Sequence, residues 1–261
     1  RSEERTGLVT YVTGGDPDQE RSAQILLGLD RAGVDVVEVG VPFSDPLADG
    51  PVIQRASERA LAAGASLSST LDLIRQVRAE IHAAVVVFTY ANPVLRMGTE
   101  AFSARAADAG VDGVLVLDLP IEEAGPFRRT IVEVGIDPIF LLSPTTTDDR
   151  LKLAAELGRG FLYGISRLGV TGVRDEVDAS ARNLVRRIRE VSSLPIAVGF
   201  GLSRPEHVRE IGSCADAAVV GSALVKVIAR EASSSDLVPA VERYVAWLKG
   251  NGEAEGGTDG T

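Results

Sequence analysis

The chain has 261 residues, 45% of them hydrophobic and 25% charged, and with aromatics at only 5% its apolar mass is Val, Leu, Ile and Ala. That mixture suits one large core of buried parallel strands under helices, and α/β barrels of about 250 residues are routinely a single domain. Thirty-seven acidic against 27 basic residues give a net charge of −10, which disfavours nucleic acid and anionic membranes but not a small anionic substrate held by backbone N–H groups.

In chain order, the pattern predicts a strand over Leu8–Thr13, a helix over Asp18–Ala32 and a strand over Val34–Val39. After a long loop come a helix over Ser68–Glu80, a strand over Ala84–Tyr90, a helix over Thr99–Ala109 and a strand over Gly113–Leu117. Glu122–Val134 reads as helix, Pro138–Leu142 as strand, Asp148–Leu157 as helix and Phe161–Ile165 as strand. The series ends with helix Asp178–Val191, strand Ile196–Gly199, helix Arg204–Ile211, strand Ala217–Val220 and helix Leu237–Leu248. Asp16 before Pro17, Ser68, Thr99, Thr147 and Ser203 before Pro205 are the expected helix caps.

The strands are apolar at successive positions, so both faces must be covered, as in a parallel sheet. A weak repeat agrees: Ala32-Gly33-Val34-Asp35 and Ala109-Gly110-Val111-Asp112 each leave a helix and enter a strand, with Cys214-Ala215-Asp216 a looser copy. The glycine can supply a left-handed helix end. About eight such units over residues 1–249 predict an α/β fold, a single-domain (β/α)8 TIM barrel. A doubly wound open sheet is the alternative, but no G-x-G-x-x-G follows the first strand, where Thr13-Gly14-Gly15-Asp16 is too short. Residues 250–261, Gly-rich and acidic, are expected to be a disordered tail.

One cysteine, Cys214, excludes an intrachain disulfide or thiol cluster, and two histidines, His82 and His207, argue against a multi-histidine metal site. No apolar stretch approaches the ~18 residues of a membrane helix, and Arg1–Gly7 carries no apolar signal core, so a cytoplasmic protein is expected. His207 is expected at the surface of a helix, Cys214 as a small buried filler and Lys226 facing solvent.

In a barrel the chemistry lies at the C-terminal ends of the strands. Glu38 stands there in an otherwise apolar strand. Desolvation would raise its pKa toward that of a general acid or base; the alternative is a structural ion pair with an Arg. The loop Pro42–Pro51, stiffened by three prolines, carries Asp45 and Asp49 to the rim, although Asp49 could instead cap a helix beginning near Pro51. Tyr163–Gly172 has the glycines of a mobile lid, or is a simple connection. Glycines in Val198-Gly199-Phe200-Gly201 and Val219-Val220-Gly221-Ser222, with a short helix from Ser222, suit phosphate binding.

At these residues the chain resembles the tryptophan synthase alpha subunit family. The run Val37–Pro51 is similar to that family's signature, and Ser166-Arg167, Gly169–Gly172, Gly199–Gly201 and Gly221–Ala223 match in order and spacing. The resemblance runs from about Thr10 to about Val227, with looser similarity to Trp247. It implies a lyase that cleaves indole-3-glycerol phosphate to indole and D-glyceraldehyde 3-phosphate by a retro-aldol reaction. Glu38 would be the general acid/base that protonates indole C3, and Asp49 would stabilise the indole N–H. Tyr163 would order the carboxyl groups, and Tyr11, Tyr90 and Leu115 would line the indole pocket. Thr171 and Gly172 would belong to the lid, and Gly201, Gly221 and Ser222 to the phosphate cradle, with Phe200 also among the substrate-binding positions.

The resemblance implies no cofactor and no metal in this chain. It implies an alpha2beta2 complex with a beta subunit that carries pyridoxal phosphate, receives the indole directly and touches the Pro42–Pro51 loop. A stand-alone indole-releasing lyase is the alternative. Two departures stand out: only about seven residues precede the first predicted strand, where the family usually carries an N-terminal helix under the barrel, and Tyr11 stands where phenylalanine is commoner.

Overall fold

Among the described residues nine strands form, most of them where the apolar runs fall: β1 (Gly7–Thr13), β2 (Val36–Gly40), β3 (Ala84–Thr89), β4 (Gly113–Val116), β5 (Asp137–Pro138), β6 (Phe140–Leu142), β7 (Leu162–Ile165), β8 (Ile196–Gly199) and β9 (Ala217–Val220). The computed structural model describes residues 5–165, 179–199 and 201–251. Every pairing among them is parallel, in the order β5-β4-β3-β2-β1-β9-β8-β7-β6.

The two ends of that order are consecutive in the chain. Only Ile139 separates β5 from β6, and its N–H still donates to Val114 O at 2.9 Å. Pro138 has no N–H to give on the side facing β7, where pairing begins only at Phe140, while the bonds to β4 run on through Ile139. The predicted strand Pro138–Leu142 is thus one pass read as two, and eight passes close a (β/α)8 barrel.

Outside lie α1 (Gln19–Arg31), α2 (Pro51–Ala62), α3 (Leu67–Val77), α4 (Ala91–Met97), α5 (Thr99–Asp108), α6 (Gly125–Glu133), α7 (Asp148–Leu157), α8 (Ala179–Val191), α9 (Pro205–Gly212), α10 (Ser222–Glu231) and α11 (Leu237–Leu248). The short α4 is unforeseen, and α6 begins at Gly125, later than the expected Glu122. Thr147 caps α7 as expected, but other caps sit elsewhere. Asp18, not Asp16, accepts the Arg21 N–H at the start of α1. Ser66, not Ser68, caps α3 in a reciprocal pair with Ser69. Gly98 precedes Thr99, and Arg204 rather than Ser203 precedes Pro205. The shift is one residue at α5 and α9 and two at α3, while Asp16 is drawn instead into an ion pair with Arg59.

Strand side chains alternate between two surroundings. Leu8, Val12, Val37, Val39, Val85 and Val87 join the large core between sheet and helices. Val9, Ala197 and Val219 pack with Val36 and Tyr163, while Val86, Leu115 and Ile139 pack with Phe88 and Leu141. Contacts among strands so far apart in the sheet order are possible only inside the barrel.

The repeated aspartates fasten the N-terminal end. Asp35 donates its N–H to Leu8 O and accepts the Leu8 N–H on its carboxylate at 2.7 Å. Asp112 does the same with Val85, and Asp216 with Ile196. Each carboxylate also pairs with an arginine, respectively Arg5, Arg78 and Arg189. Gly33 and Gly110 turn the preceding helices out at φ 77° and 75°, in the left-handed region.

No described helix is long and apolar enough to cross a membrane. Among the described residues, no group of three or more His, Cys, Asp or Glu side chains could hold a metal ion. The expected helix start at Asp178, the lid residues 166–172 and tail residues 252–261 lie outside the described residues.

Candidate active site

At the C-terminal mouth of the barrel a cavity of about 180 Å³ brings together Glu38, Asp49, Tyr11 and Tyr163 with Gly201, Gly221 and Ser222. Glu38 reaches it because β2 places residues 36, 38 and 40 on one face, with Tyr11 of β1 and Val86 of β3 beside it in register. Its side chain is buried (1% exposed), and Oε1 has no hydrogen-bond partner among the described residues. No described arginine or lysine pairs with it, so the structural ion pair that would have explained a buried carboxylate is not found there. Burial alone pushes its pKa up to about 8, so the group is largely protonated at neutral pH.

The two loop aspartates part company. Asp45 is exposed and accepts from Ser44 Oγ at 2.7 Å, outside the cavity. Asp49 turns inward and is half-buried, which raises its carboxyl, while a hydrogen bond from the Tyr90 hydroxyl draws it back. Asp49 does not cap the next helix: the cap position of α2 is Gly50, which has no side chain to offer. Two carboxyl groups therefore face one cavity in different surroundings, Glu38 buried with Oε1 unbonded among the described residues and Asp49 half-buried beside the Tyr90 hydroxyl.

The tyrosines divide between wall and support. Tyr163 lies in register with Leu141 and Ala197, and its hydroxyl occupies the space left by Gly199, where a Cβ would come within 2.8 Å of it. Burial, then the nearby Glu38 charge, raises the Tyr163 hydroxyl well above its ordinary value, so it remains a neutral donor. Tyr90 stands behind the lining. Its hydroxyl accepts the Ala48 N–H at 3.2 Å, and its ring lies 5.2 Å from that of Phe43, so it braces the Asp49 loop. Leu115 also lies one layer back, packed with Val86 and Ile139 beneath the cavity floor.

Beside Tyr11, α10 begins at Ser222 with Gly221 as its cap residue and no acidic side chain in its first turn. Gly221 and the exposed Ser222 line the cavity at this helix start, as does Gly201, whose φ is 78°. A helix N-terminus of this kind suits a phosphate. Thr171, Gly172 and Phe200 lie outside the described residues.

The walls that sequence reasoning passed over are Ile53, Phe88, Leu117, Leu141, Ile165 and Val219. The period-2 alternation held the signal, since Phe88 is in register with Gly40 and Leu141 with Tyr163. Among the other singled-out residues, Lys226 is exposed as expected and Cys214 is only half-buried. His207 is buried (5% exposed), not at the surface, because its Nδ1 folds back to accept the Ser203 N–H at 3.1 Å.

Residues 1–249 match the family model described as tryptophan synthase alpha chain. The tryptophan synthase alpha chain of Solibacter usitatus is 45% identical over 249 residues, covering 95% of this chain and 93% of the relative. That of Geobacter sulfurreducens is 46% identical over 245 residues, covering 94% and 92%. A chain of the tryptophan synthase a2b2 complex from Pyrococcus furiosus superposes with a TM-score of 0.88 at 39% identity, covering 94% of this chain and 98% of that one. A chain of tryptophan synthase from M. tuberculosis gives 0.84 at 35% identity, over 94% and 92%. With the match spanning nearly all of the barrel and relatives of nearly equal length, the chain belongs to the tryptophan synthase alpha chain family.

Proposed function

We propose that this chain cleaves indole-3-glycerol phosphate to indole and D-glyceraldehyde 3-phosphate, as the alpha subunit of a tryptophan synthase complex. The observation that carries this reading is the buried carboxyl of Glu38, whose Oε1 has no hydrogen-bond partner among the described residues and whose pKa burial raises to about 8. That proton goes to C3 of the indole, and the ring nitrogen becomes positively charged. The Asp49 carboxylate accepts the indole N–H and offsets that charge. The bond from C3 to the glycerol carbon then breaks, its electrons restoring the indole ring. The hydroxyl on the departing carbon loses its proton to ionised Glu38 as the aldehyde forms, so the acid is regenerated. Gly201, Gly221 and the N-terminus of α10 hold the phosphate, and Tyr11, Phe88 and Leu141 enclose the ring.

The Pyrococcus furiosus relative is an a2b2 complex whose subunits activate each other, which supports a beta subunit as the partner here. By the family resemblance that partner carries the pyridoxal phosphate, and no step in this chain runs through it. Indole release from indole-3-glycerol phosphate, measured with and without a beta subunit, tests the reading. Release that rises with the partner and falls about 10²–10⁴-fold in Glu38→Gln is expected. Release unchanged by Glu38→Gln would overturn it, and equal release with and without the partner would leave a stand-alone lyase.

A further inference from the structure

Tyr90 braces the Ala48 N–H and the Asp49 side chain from one side, but the backbone that follows Asp49 has little packing to hold it. Gly50 has nothing within 4 Å of where a Cβ would lie, and Leu47 on the same loop is 94% exposed. The peptide between Asp49 and Gly50 could rotate there and swing the carboxylate, unless its carbonyl is tied.

One side chain ties it. Gln54, half-buried in the first turns of α2, donates Nε2–H to Asp49 O at 2.8 Å and reaches Pro46 O at 3.5 Å. The two amide hydrogens can serve both carbonyls, closing the Pro46–Asp49 turn, which is already held by Asp49 N–H to Pro46 O at 3.0 Å. Gln54 is itself held, because its N–H donates to Gly50 O at 3.0 Å. The helix is anchored to the barrel by Arg59, whose guanidinium makes two 2.8 Å bonds to the carboxylate of Asp16, a side chain only 2% exposed. A continuous path of bonds thus runs from the β1–α1 loop through α2 to the backbone of Asp49.

From this geometry we infer that Gln54 is a positioning residue, fixing the Asp49 carboxylate opposite Glu38 through the Asp49 carbonyl. The inference rests on the proposed cleavage, in which Asp49 must meet the indole N–H. A misplaced catalytic group reduces turnover more than binding, because the lost alignment matters most in the transition state.

Two variants test it in the complex with a beta subunit. Gln54→Leu removes the donor and keeps the bulk; kcat should fall about tenfold with KM little changed. In an Asp49→Ala background the same substitution should lower kcat by less than about twofold, since the group it positions is gone. Gln54→Glu is isosteric, and its carboxyl donates only when protonated, so its activity relative to the unsubstituted chain should recover as pH falls. Losses that multiply in the double variant, or a Gln54→Leu kcat within about twofold of the unsubstituted chain, overturn the inference. Amide exchange over residues 46–50 supplies a readout without substrate and should quicken in Gln54→Leu. An unsubstituted chain that releases no indole defeats the proposed reaction, while unchanged exchange defeats the positioning role by itself.

Discussion

A Cβ on Gly40 would stand 2.1 Å from the Tyr11 hydroxyl oxygen and 2.5 Å from its Cζ, so the end of β2 is bare because the phenol of β1 lies across it. The ring is also fixed edge-on against Phe88, with centroids 5.4 Å apart, and its hydroxyl lies 3.5 Å from Thr13 Oγ1. Gly40→Ala must therefore displace Tyr11 into the cavity or strain the strand. A destabilisation of about 1–3 kcal/mol in urea unfolding is expected, together with weaker indole release. Adding Tyr11→Leu should return much of the stability. Were Gly40→Ala alone neutral, the ring would be mobile and its place in the wall would be wrong.

Glu38 ties stability to pH. Its pKa rises from 4.5 to about 8 on folding, so between those values the folded chain keeps a proton that the unfolded chain has lost. Stability contributed by this group is thus fully present below the lower value and lost as pH rises through the upper one. Glu38→Gln, neutral throughout, should melt higher than the unsubstituted chain at about pH 8, with the gap closing toward about pH 4. Indole release should fall in the unsubstituted chain above about pH 8, as the acid ionises. A gap independent of pH would mean that the carboxyl is not dry.

How far the sequence shows this site depends on what each residue must satisfy. Strands were legible because a parallel barrel buries both strand faces, and Glu38 stood out because an acid interrupts that apolar run. The Asp35, Asp112 and Asp216 repeat was visible as spacing, but its partners were not, since backbone amides carry no sequence mark. Choosing Asp49 over Asp45 from the residues alone was not possible, because either could cap a helix; only the Gly50 cap and the inward turn separate them. Gln54 left no signal at all: a glutamine in a first helical turn looks solvated until the loop is seen folding back onto it.

The floor aspartates should matter for folding and not for chemistry. Asp216→Ala leaves the Ile196 N–H and the Arg189 guanidinium without this carboxylate, at the end of the barrel away from the cavity. A loss of about 1–3 kcal/mol is expected. Turnover per folded molecule should stay within about twofold, since no cavity residue moves. A large fall in kcat with unchanged unfolding would contradict the division of labour between the two ends.

Tyr90 should set the ionisation of Asp49. Burial raises the Asp49 carboxyl and the Tyr90 hydroxyl opposes it, so Tyr90→Phe removes the opposing influence and also frees the Ala48 N–H. Because Asp49 acts as the ionised form, the acid limb of the pH–rate profile should move to higher pH. A profile that kept its acid limb while the rate dropped would assign Tyr90 to ring binding instead.

Leu95 of α4 is 70% exposed and Leu47 is 94% exposed, and their segments are joined where Ala48 meets the Tyr90 hydroxyl and Phe43 meets the Tyr90 ring. Two bare leucines, one on the Asp49 loop and one on the neighbouring α4, are the apolar surface a partner would cover. Leu47 shares its loop with Asp49, so substitution there would confound binding with chemistry, whereas Leu95 lines neither the cavity nor the Gln54 path. Leu95→Glu should weaken association with a beta subunit about tenfold or more by titration calorimetry, because a charge would be desolvated in the contact. Indole release measured without the partner should be unchanged, and activation should return at high partner concentration. Undiminished affinity would place the docking face elsewhere on the barrel.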